Sequence, residues 1–301
     1  MSSDIISPAV RRFGITIDRD DAEPADARSG AGLHSARTFE GRTAFLKVTP
    51  ASLGVEALHG ARRELRFYTE LAATVPLRTP PLFDSLETEA GVAVLLAHAG
   101  DRLPAREWTD RAWSELGRDL AAMHAMPGLL DESWNGPQPL LAAMAEPATQ
   151  TITEFWGVVL PQLPQFLAAR MELRAELAAQ PAVFVHGDCH TSNIVHDTSG
   201  LVFCDWQSAG IGRASSDLAF VNVRAVPDGA LVSPAATIAY LDRCGGSRAA
   251  FERALLLEEL AIFVFQWPPF AAYNSALGIS RVHDRVRYLS ERWFTITPGW
   301  R

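Results

Sequence analysis

The run His186-Gly187-Asp188-Cys189-His190-Thr191-Ser192-Asn193 constrains this chain more than any other segment, because it is a polar loop set among apolar strand-like runs. Residues 183–185 precede it, 194–196 follow it, and 201–204 come next across a turn over 197–200. Short apolar runs bounded by turn residues read as buried strands. Asp188 follows a strand and a glycine, so it can point into a cleft. Asn193 stands just before the second strand, and Asp205 follows its partner. A hairpin between them would bring Asn193 and Asp205 to the same end of adjacent strands, where side-chain oxygens suit magnesium, a hard cation.

The rest of the chain is ordered around this segment. A short helix is expected near 8–13, a strand near 14–18, two strands over 34–39 and 43–48, and a helix opening at Pro50 and Ser52 and running to about Ala73. A second hairpin is expected over 82–87 and 92–97. From Thr109 the apolar spacing turns helical, with Trp113, Leu116, Leu120, Met123 and His124 on one face and Pro127-Gly128 as the stop. Further helices are expected over 152–159, 166–180, 235–243, 248–266 and 274–293. The order is a β-rich part, 1–97, followed by a mostly helical part, 98–301, with a small embedded hairpin. That is an α+β chain of two lobes.

Phosphoryl transfer asks a protein for a hydroxyl-orienting carboxylate, metal ligands and a cation on the phosphates. The H-x-D-x-x-x-x-N spacing from His186 to Asn193 matches a kinase catalytic loop, and Asp205 adds a second carboxylate. The cation has a compositional signature. The chain holds 26 arginines and one lysine, Lys47, on the expected strand 43–48. Where arginine has replaced lysine almost everywhere, the surviving lysine marks a place needing a compact point charge.

Taken together, His186-Gly187-Asp188-x-His190-x-x-Asn193, then Cys204-Asp205-Trp206, Gly212 and Asp217-Leu218-Ala219, resemble the aminoglycoside phosphotransferase and choline kinase-like family across nearly the whole chain. The resemblance implies a two-lobed protein-kinase-like fold, with a small antiparallel-sheet N-lobe that binds nucleotide and a larger helical C-lobe for catalysis and acceptor binding. It implies that Asp188 is the catalytic carboxylate, that Asn193 and Asp205 hold Mg2+, and that Asp217 braces the loop. It implies that Lys47 contacts the phosphates of ATP, or of GTP as an alternative donor. By the family's spacing Glu64 holds Lys47, with Glu56 as the other option. Backbone groups near Ala97 and Ala99 would meet the adenine. The nearest match to the family's nucleotide loop is Ser29-Gly30-Ala31-Gly32-Leu33-His34-Ser35, with loose spacing. Trp206-Gln207 in place of Phe-Gly suits the small-molecule branch.

Composition narrows the partners. A formal charge of −8 argues against nucleic acid. No apolar run reaches the length of a membrane span, and no basic-then-apolar signal pattern opens the chain. Cys189, Cys204 and Cys244 have no paired-motif spacing, so a reduced, cytoplasmic protein is expected. His186, Cys189 and His190 lack a second ligand pair for zinc. The two histidines are expected to hold the loop by hydrogen bonds, and His124 to be a packed structural residue.

The acceptor is the least legible part. An aminoglycoside or other hydroxylated antibiotic comes first, and a metabolic hydroxyl such as that of choline, homoserine or an amino sugar second. A nucleotide-binding regulator without catalysis is the alternative of another class. Residues 228–301 carry 8 basic and 7 acidic groups, so a polycation finds no strong field there. Glu258, Glu259, Asp284 and Glu291 could meet an acceptor or be solvated helix faces. Trp267, Pro268, Pro269, Phe270 and Tyr273 read as core or as pocket.

Overall fold

The structure is a computed structural model that describes residues 3–18, 32–126 and 132–297. In chain order these form α1 (Ser3–Phe13), β1 (Ile15–Ile17), β2 (Gly32–Thr38), β3 (Thr43–Pro50), α2 (Val55–Arg66), β4 (Leu82–Thr88), β5 (Gly91–Ala97), β6 (Asp101–Arg102), α3 (Asp110–His124), α4 (Pro139–Ala145), α5 (Thr149–Trp156), α6 (Leu163–Ala168), α7 (Arg170–Ala178), β7 (Ala182–Val185), β8 (Ile194–Asp197), β9 (Gly200–Phe203), β10 (Gly210–Arg213), α8 (Ala214–Ala225), α9 (Pro234–Cys244), α10 (Arg248–Phe265) and α11 (Ala276–Ile296). The fold is α+β, and the chain divides into two compact units. One comprises Met1–Asp101 with Ile194–Ala209; the other comprises Arg102–Asn193 with Gly210–Arg301.

The first unit is built on a five-stranded antiparallel sheet in the order β1-β2-β3-β5-β4. Strand alternation divides β3 between two faces. Ala44, Leu46 and Val48 join Ile5 and Ala9 of α1 in an apolar core, while Lys47 faces the other way, toward α2. β5 lies between β3 and β4 and is buried from Gly91 to Leu96, which explains its unbroken apolar run. The β8–β9 hairpin, with Ile194 opposite Phe203, also belongs to this unit. Arg78 clamps it at two points. Its guanidinium forms a fork with the Asp197 carboxylate, and its carbonyl accepts from the Phe203 N–H at 2.8 Å. The arginine holds the Asp197 carboxyl well below the usual carboxylate range.

In the second unit α10 is buried from Leu256 to Phe265, as befits a helix apolar on every side. Glu258 and Glu259 lie within that run, so each needs a charged partner. Arg213 grips Glu258 with contacts down to 2.6 Å, and Arg285 grips Glu259 at 2.7 and 2.8 Å. Neither glutamate is a solvated helix face. α3 and α9 approach so closely that a Cβ on Gly117 would lie 2.0 Å from the Ala236 carbonyl oxygen. Among the described residues no helix is long and apolar enough to cross a membrane.

Several expected elements shift. The helix expected from Pro50 to Ala73 is a 3-10 turn over Ala51–Leu53, a break at Gly54 with φ 97°, then α2, then a π-helical turn over Phe67–Leu71. Only glycine takes that φ readily, and it ends the turn before α2 begins. The helix expected over 166–180 is two helices parted at Ala169. Pro164 occupies the first turn of α6, where its missing N–H costs nothing. The helix near residue 8 begins at Ser3. Helices α4 and α8 were not anticipated. The Pro127-Gly128 stop lies outside the described residues.

Two glycines give a paired prediction. Gly117→Ala forces backbone apart and is expected to lower unfolding stability by about 1–3 kcal/mol. At Gly60 in α2 a Cβ would meet its nearest neighbour, Gln207 Cβ, at 3.5 Å, an ordinary contact. Gly60→Ala is therefore expected to stabilise by about 0.5–1 kcal/mol through helix propensity. Urea unfolding midpoints of the two variants should move in opposite directions.

Candidate active site

The loop after β7 is held from behind. Gly187 has φ 80°, a value suited to glycine, and the turn it makes leaves two backbone N–H groups pointing inward. Asp217, in the first turn of α8, accepts both, from His186 N at 2.9 Å and Gly187 N at 3.0 Å. Burial would push the Asp217 carboxyl up, but bonds and charge from His124 and His186 outweigh it and bring it below its ordinary value.

Asp188 then projects from the loop with its side chain about a quarter exposed. Asn193 Nδ2 donates to the Asp188 carbonyl at 3.0 Å and to its Oδ2 at 3.1 Å. His186 Nδ1 accepts from the Asp188 N–H at 3.3 Å, and His190 Nδ1 accepts from the Ser192 N–H at 3.2 Å. His190 Nε2 faces Asp188 Oδ2 at 3.7 Å, too far for a hydrogen bond. Against the penalty of burial, His190, His186 and Arg224 hold Asp188 below its ordinary value, so it is a carboxylate at neutral pH. Burial lowers His190, which keeps its ring neutral. Cys189 is fully buried, and burial raises its thiol well above the usual value, so it is not a ready nucleophile.

The first unit holds the other group of predicted residues. Lys47 Nζ lies 2.7 Å from Glu64 Oε2 and 2.9 Å from Asp205 Oδ1. Of the two glutamates weighed, Glu64 is the one bonded to the lysine; it is 2% exposed, on the inner face of α2. Burial alone would lower Lys47, but the two carboxylates outweigh it and raise it above its ordinary value, so it stays an ammonium. Glu64 is pushed up, by burial first and by Asp205 next, with Lys47 opposing.

Asp205 is the one non-glycine residue with positive φ, 64°, among the described residues. Such a conformation costs of order 1–3 kcal/mol and persists where surroundings over-determine it. Here the surroundings include residues the sequence reading passed over. Phe67 stacks on Trp206, with ring centroids 3.8 Å apart and planes 6° apart. Arg63 donates to the Ala209 carbonyl at 2.8 Å. Gly60, Arg63, Glu64 and Phe67 share one face by helix spacing, which the sequence displays. What that face meets lies 146 residues away for Arg63, and nothing local signals it.

Ala97 ends β5, with its N–H donating to the Pro81 carbonyl at 2.9 Å; the next N–H, of His98, donates to Thr43 at 3.2 Å. Ala99 follows in irregular chain. The glycine loop expected over Ser29-Gly30-Ala31-Gly32 falls, for residues 29–31, outside the described residues. Trp267 and Pro268 are core, while Phe270 and Tyr273 are 41% and 72% exposed. Asp284 pairs with Arg287 at the surface.

Each unit offers an oxygen of the kind magnesium prefers. Asn193 commits its Nδ2 to Asp188, which leaves its carboxamide oxygen for a cation, and Asp205 offers a carboxylate about one third exposed. The described residues gather no group of three or more His, Cys, Asp and Glu. Magnesium is commonly bound by one or two protein oxygens completed by substrate phosphates and water, so a small number of protein ligands is no bar to it.

Comparison with known proteins bears on the fold and the family. No curated protein matches the sequence. Among solved structures, choline kinase from Cryptosporidium parvum Iowa II superposes with a TM-score of 0.63 at 11% identity, covering 99% of this chain and 97% of that one. A macrolide 2'-phosphotransferase from Brachybacterium faecium gives 0.57 at 18% identity, over 93% and 96%. An amicoumacin kinase, in complex with AMP-PNP, Ca2+ and amicoumacin, gives 0.57 at 12% identity, over 94% and 93%. These likenesses establish a protein-kinase-like fold. The phosphotransferase enzyme family's sequence profile matches residues 30–254, about three quarters of the chain, and the chain therefore belongs to that family.

Proposed function

We propose that this phosphotransferase is a small-molecule kinase that moves the γ-phosphoryl group of ATP onto an acceptor hydroxyl. The observation that carries the reading is Asp188: an ionised carboxylate, held by Asn193 and His186, on a loop of kinase spacing. Asp188 orients the acceptor O–H and takes its proton as the acceptor oxygen bonds to the γ-phosphorus. The bond from that phosphorus to the β–γ bridging oxygen breaks, and ADP leaves. Lys47, kept cationic between Glu64 and Asp205, offsets phosphate charge. The Ala97 carbonyl and the Ala99 N–H are assigned to the adenine, since the Ala97 N–H is already committed to Pro81. Asn193 and Asp205 are the residues assigned to magnesium. When bound, that ion supplies charge neutralisation at the phosphate oxygens. The AMP-PNP and Ca2+ of the amicoumacin kinase complex support a nucleoside triphosphate and a divalent cation here.

For the acceptor we put a hydroxylated antibiotic first. Glu258 and Glu259, weighed as contacts for a polycation, are each buried against an arginine. That favours an antibiotic with few positive charges over a polycationic aminoglycoside. ATP consumption across macrolides, aminoglycosides, choline, homoserine and sugars tests this. Turnover with a sparsely charged antibiotic is expected, and turnover confined to choline or homoserine would replace the reading with a metabolic one.

Two substitutions test the chemistry. Asp188→Ala is expected to lower kcat by about 10²–10⁴-fold while nucleotide binding, read by calorimetry, stays near wild type. Retained turnover would sink the assignment. Lys47→Arg keeps the charge but replaces a compact ammonium by a planar fork. It is expected to lower kcat/KM for ATP by about 10- to 100-fold, the range of a lost charge-assisted bond. Unchanged kinetics would remove Lys47 from the phosphate site.

A further inference from the structure

One arginine reaches both ends of the β8–β9 hairpin, and the reaction proposed above does not use it. Arg78 stands in irregular chain between the π-helical turn and β4. Leu77 and Pro80 are buried on either side of it, and Pro76, Pro80 and Pro81 restrict the backbone there. Its guanidinium meets the turn of the hairpin: Nη1 donates to Asp197 Oδ1 at 2.7 Å, and Nη2 donates to Oδ2. Asp197 also shapes that turn, because its Oδ1 accepts from the Ser199 N–H at 2.7 Å and the Gly200 N–H at 3.1 Å. The other end of the hairpin meets the main chain of the same arginine, where the Arg78 carbonyl accepts from the Phe203 N–H at 2.8 Å. Along β9 the two grips are about 10 Å apart, the run of strand from Gly200 to Phe203.

What lies beyond Phe203 gives this grip its consequence. The Phe203 carbonyl accepts from the Trp206 indole N–H at 3.0 Å, and Trp206 is stacked on Phe67. Phe203 is therefore held through both its backbone groups, and Cys204 and Asp205 form the short arc closed between Phe203 and Trp206. Asp205 takes its positive φ in that arc and sets one oxygen 2.9 Å from Lys47. A hairpin of two four-residue strands is marginal by itself. A shift of one residue in its pairing would carry every side chain to the opposite face. On the β8 side Gly100 lies so close that a Cβ there would come within 2.3 Å of the His196 carbonyl oxygen, and Arg78 holds the β9 side.

We infer that Arg78 is a positioning residue for Asp205: its fork with Asp197 and its carbonyl on Phe203 fix the register of the hairpin, and with it the place at which the Asp205 carboxylate meets a metal ion. Where the metal is concerned, this rests on the assignment of Asp205 to magnesium; the hold on the arc from Phe203 to Trp206 does not. The Arg78–Asp197 pair is partly exposed, and a surface pair adds little to stability. Its loss is therefore expected to leave the protein folded and to move Asp205.

Three variants separate the fork from charge alone. Arg78→Met keeps length without donors, and Arg78→Lys keeps the charge without the fork. Asp197→Asn keeps an oxygen for the turn while removing the charge that the fork grips. Two readouts need no acceptor. One is the Mn2+ dissociation constant in the presence of AMP-PNP, read by electron paramagnetic resonance. The other is amide hydrogen exchange over 203–206 in the metal-free protein. Arg78→Met is expected to raise the Mn2+ constant by about 10-fold, the lower end for losing a residue that supports a metal ligand, and to speed exchange over 203–206. Arg78→Lys and Asp197→Asn should lie between Arg78→Met and wild type. Asp205→Asn is measured alongside. If it weakens Mn2+ binding, the Mn2+ constant decides, and a wild-type constant in Arg78→Met overturns the inference even where urea unfolding shows lost stability. If Asp205→Asn binds Mn2+ as wild type does, the metal assignment of Asp205 falls and exchange decides: wild-type protection over 203–206 in Arg78→Met then overturns the role of Arg78 as well. Should Arg78→Met fail to fold, Asp197→Asn is read in its place by the same two outcomes.

Discussion

Two inward-facing backbone N–H groups, those of His186 and Gly187, set the terms for this protein. A turn tight enough to aim Asp188 outward directs both donors into the interior, where water cannot satisfy them. One carboxylate, Asp217, answers both from the first turn of α8. Everything near it follows. Asp217 must stay ionised despite burial, so it needs donors beyond the two amides, and His124 is the side chain within reach. α3 and α9 must pass close together for His124 to meet Tyr240, and Gly117 allows that approach. The aim of the Asp188 side chain thus reaches back to a glycine two helical turns before His124.

The same rule of compensated burial organises both units. Lys47 is neutralised twice, by Glu64 and Asp205. Glu258 and Glu259, adjacent on a helix buried on all sides, take separate arginines from different elements, Arg213 at the end of β10 and Arg285 on α11. Buried ion pairs of this kind rarely stabilise beyond what apolar packing would, but losing one partner costs several kcal/mol. Their effect is to fix which helix faces which. They also change how an acidic count should be read: a carboxylate in the sequence is available to a ligand only if no arginine has claimed it.

What the sequence made legible was whatever rests on local pattern. The strand carrying Lys47 alternates, and those about the His186–Asn193 loop are short apolar runs bounded by turn residues, so their placement needed no tertiary knowledge. α8 was opaque because it is buried on several faces at once and shows no clean stripe. α2 was read too long, since the residues from Pro50 to Ala73 suit a helix while the break depends on one glycine with positive φ. Contacts made at a distance were invisible in principle. Phe67 against Trp206, Arg78 against Asp197 and His124 against Asp217 each join segments separated by about a hundred residues or more, and none leaves a mark in local spacing.

Lys47 stands apart because its signal was compositional. In a chain with 26 arginines, a single lysine is informative only if arginine is excluded at that position by shape. The geometry supplies the reason. One nitrogen contacts two carboxylates from different elements at 2.7 and 2.9 Å, which a tetrahedral ammonium can do from a single point. A guanidinium spreads its donors along a planar fork and prefers two oxygens of one carboxylate. Arg78 on Asp197, Arg253 on Glu176 and Arg285 on Glu259 show that preference in this protein. The bias toward arginine is thus obeyed wherever a fork fits and is broken where a point charge has to be shared.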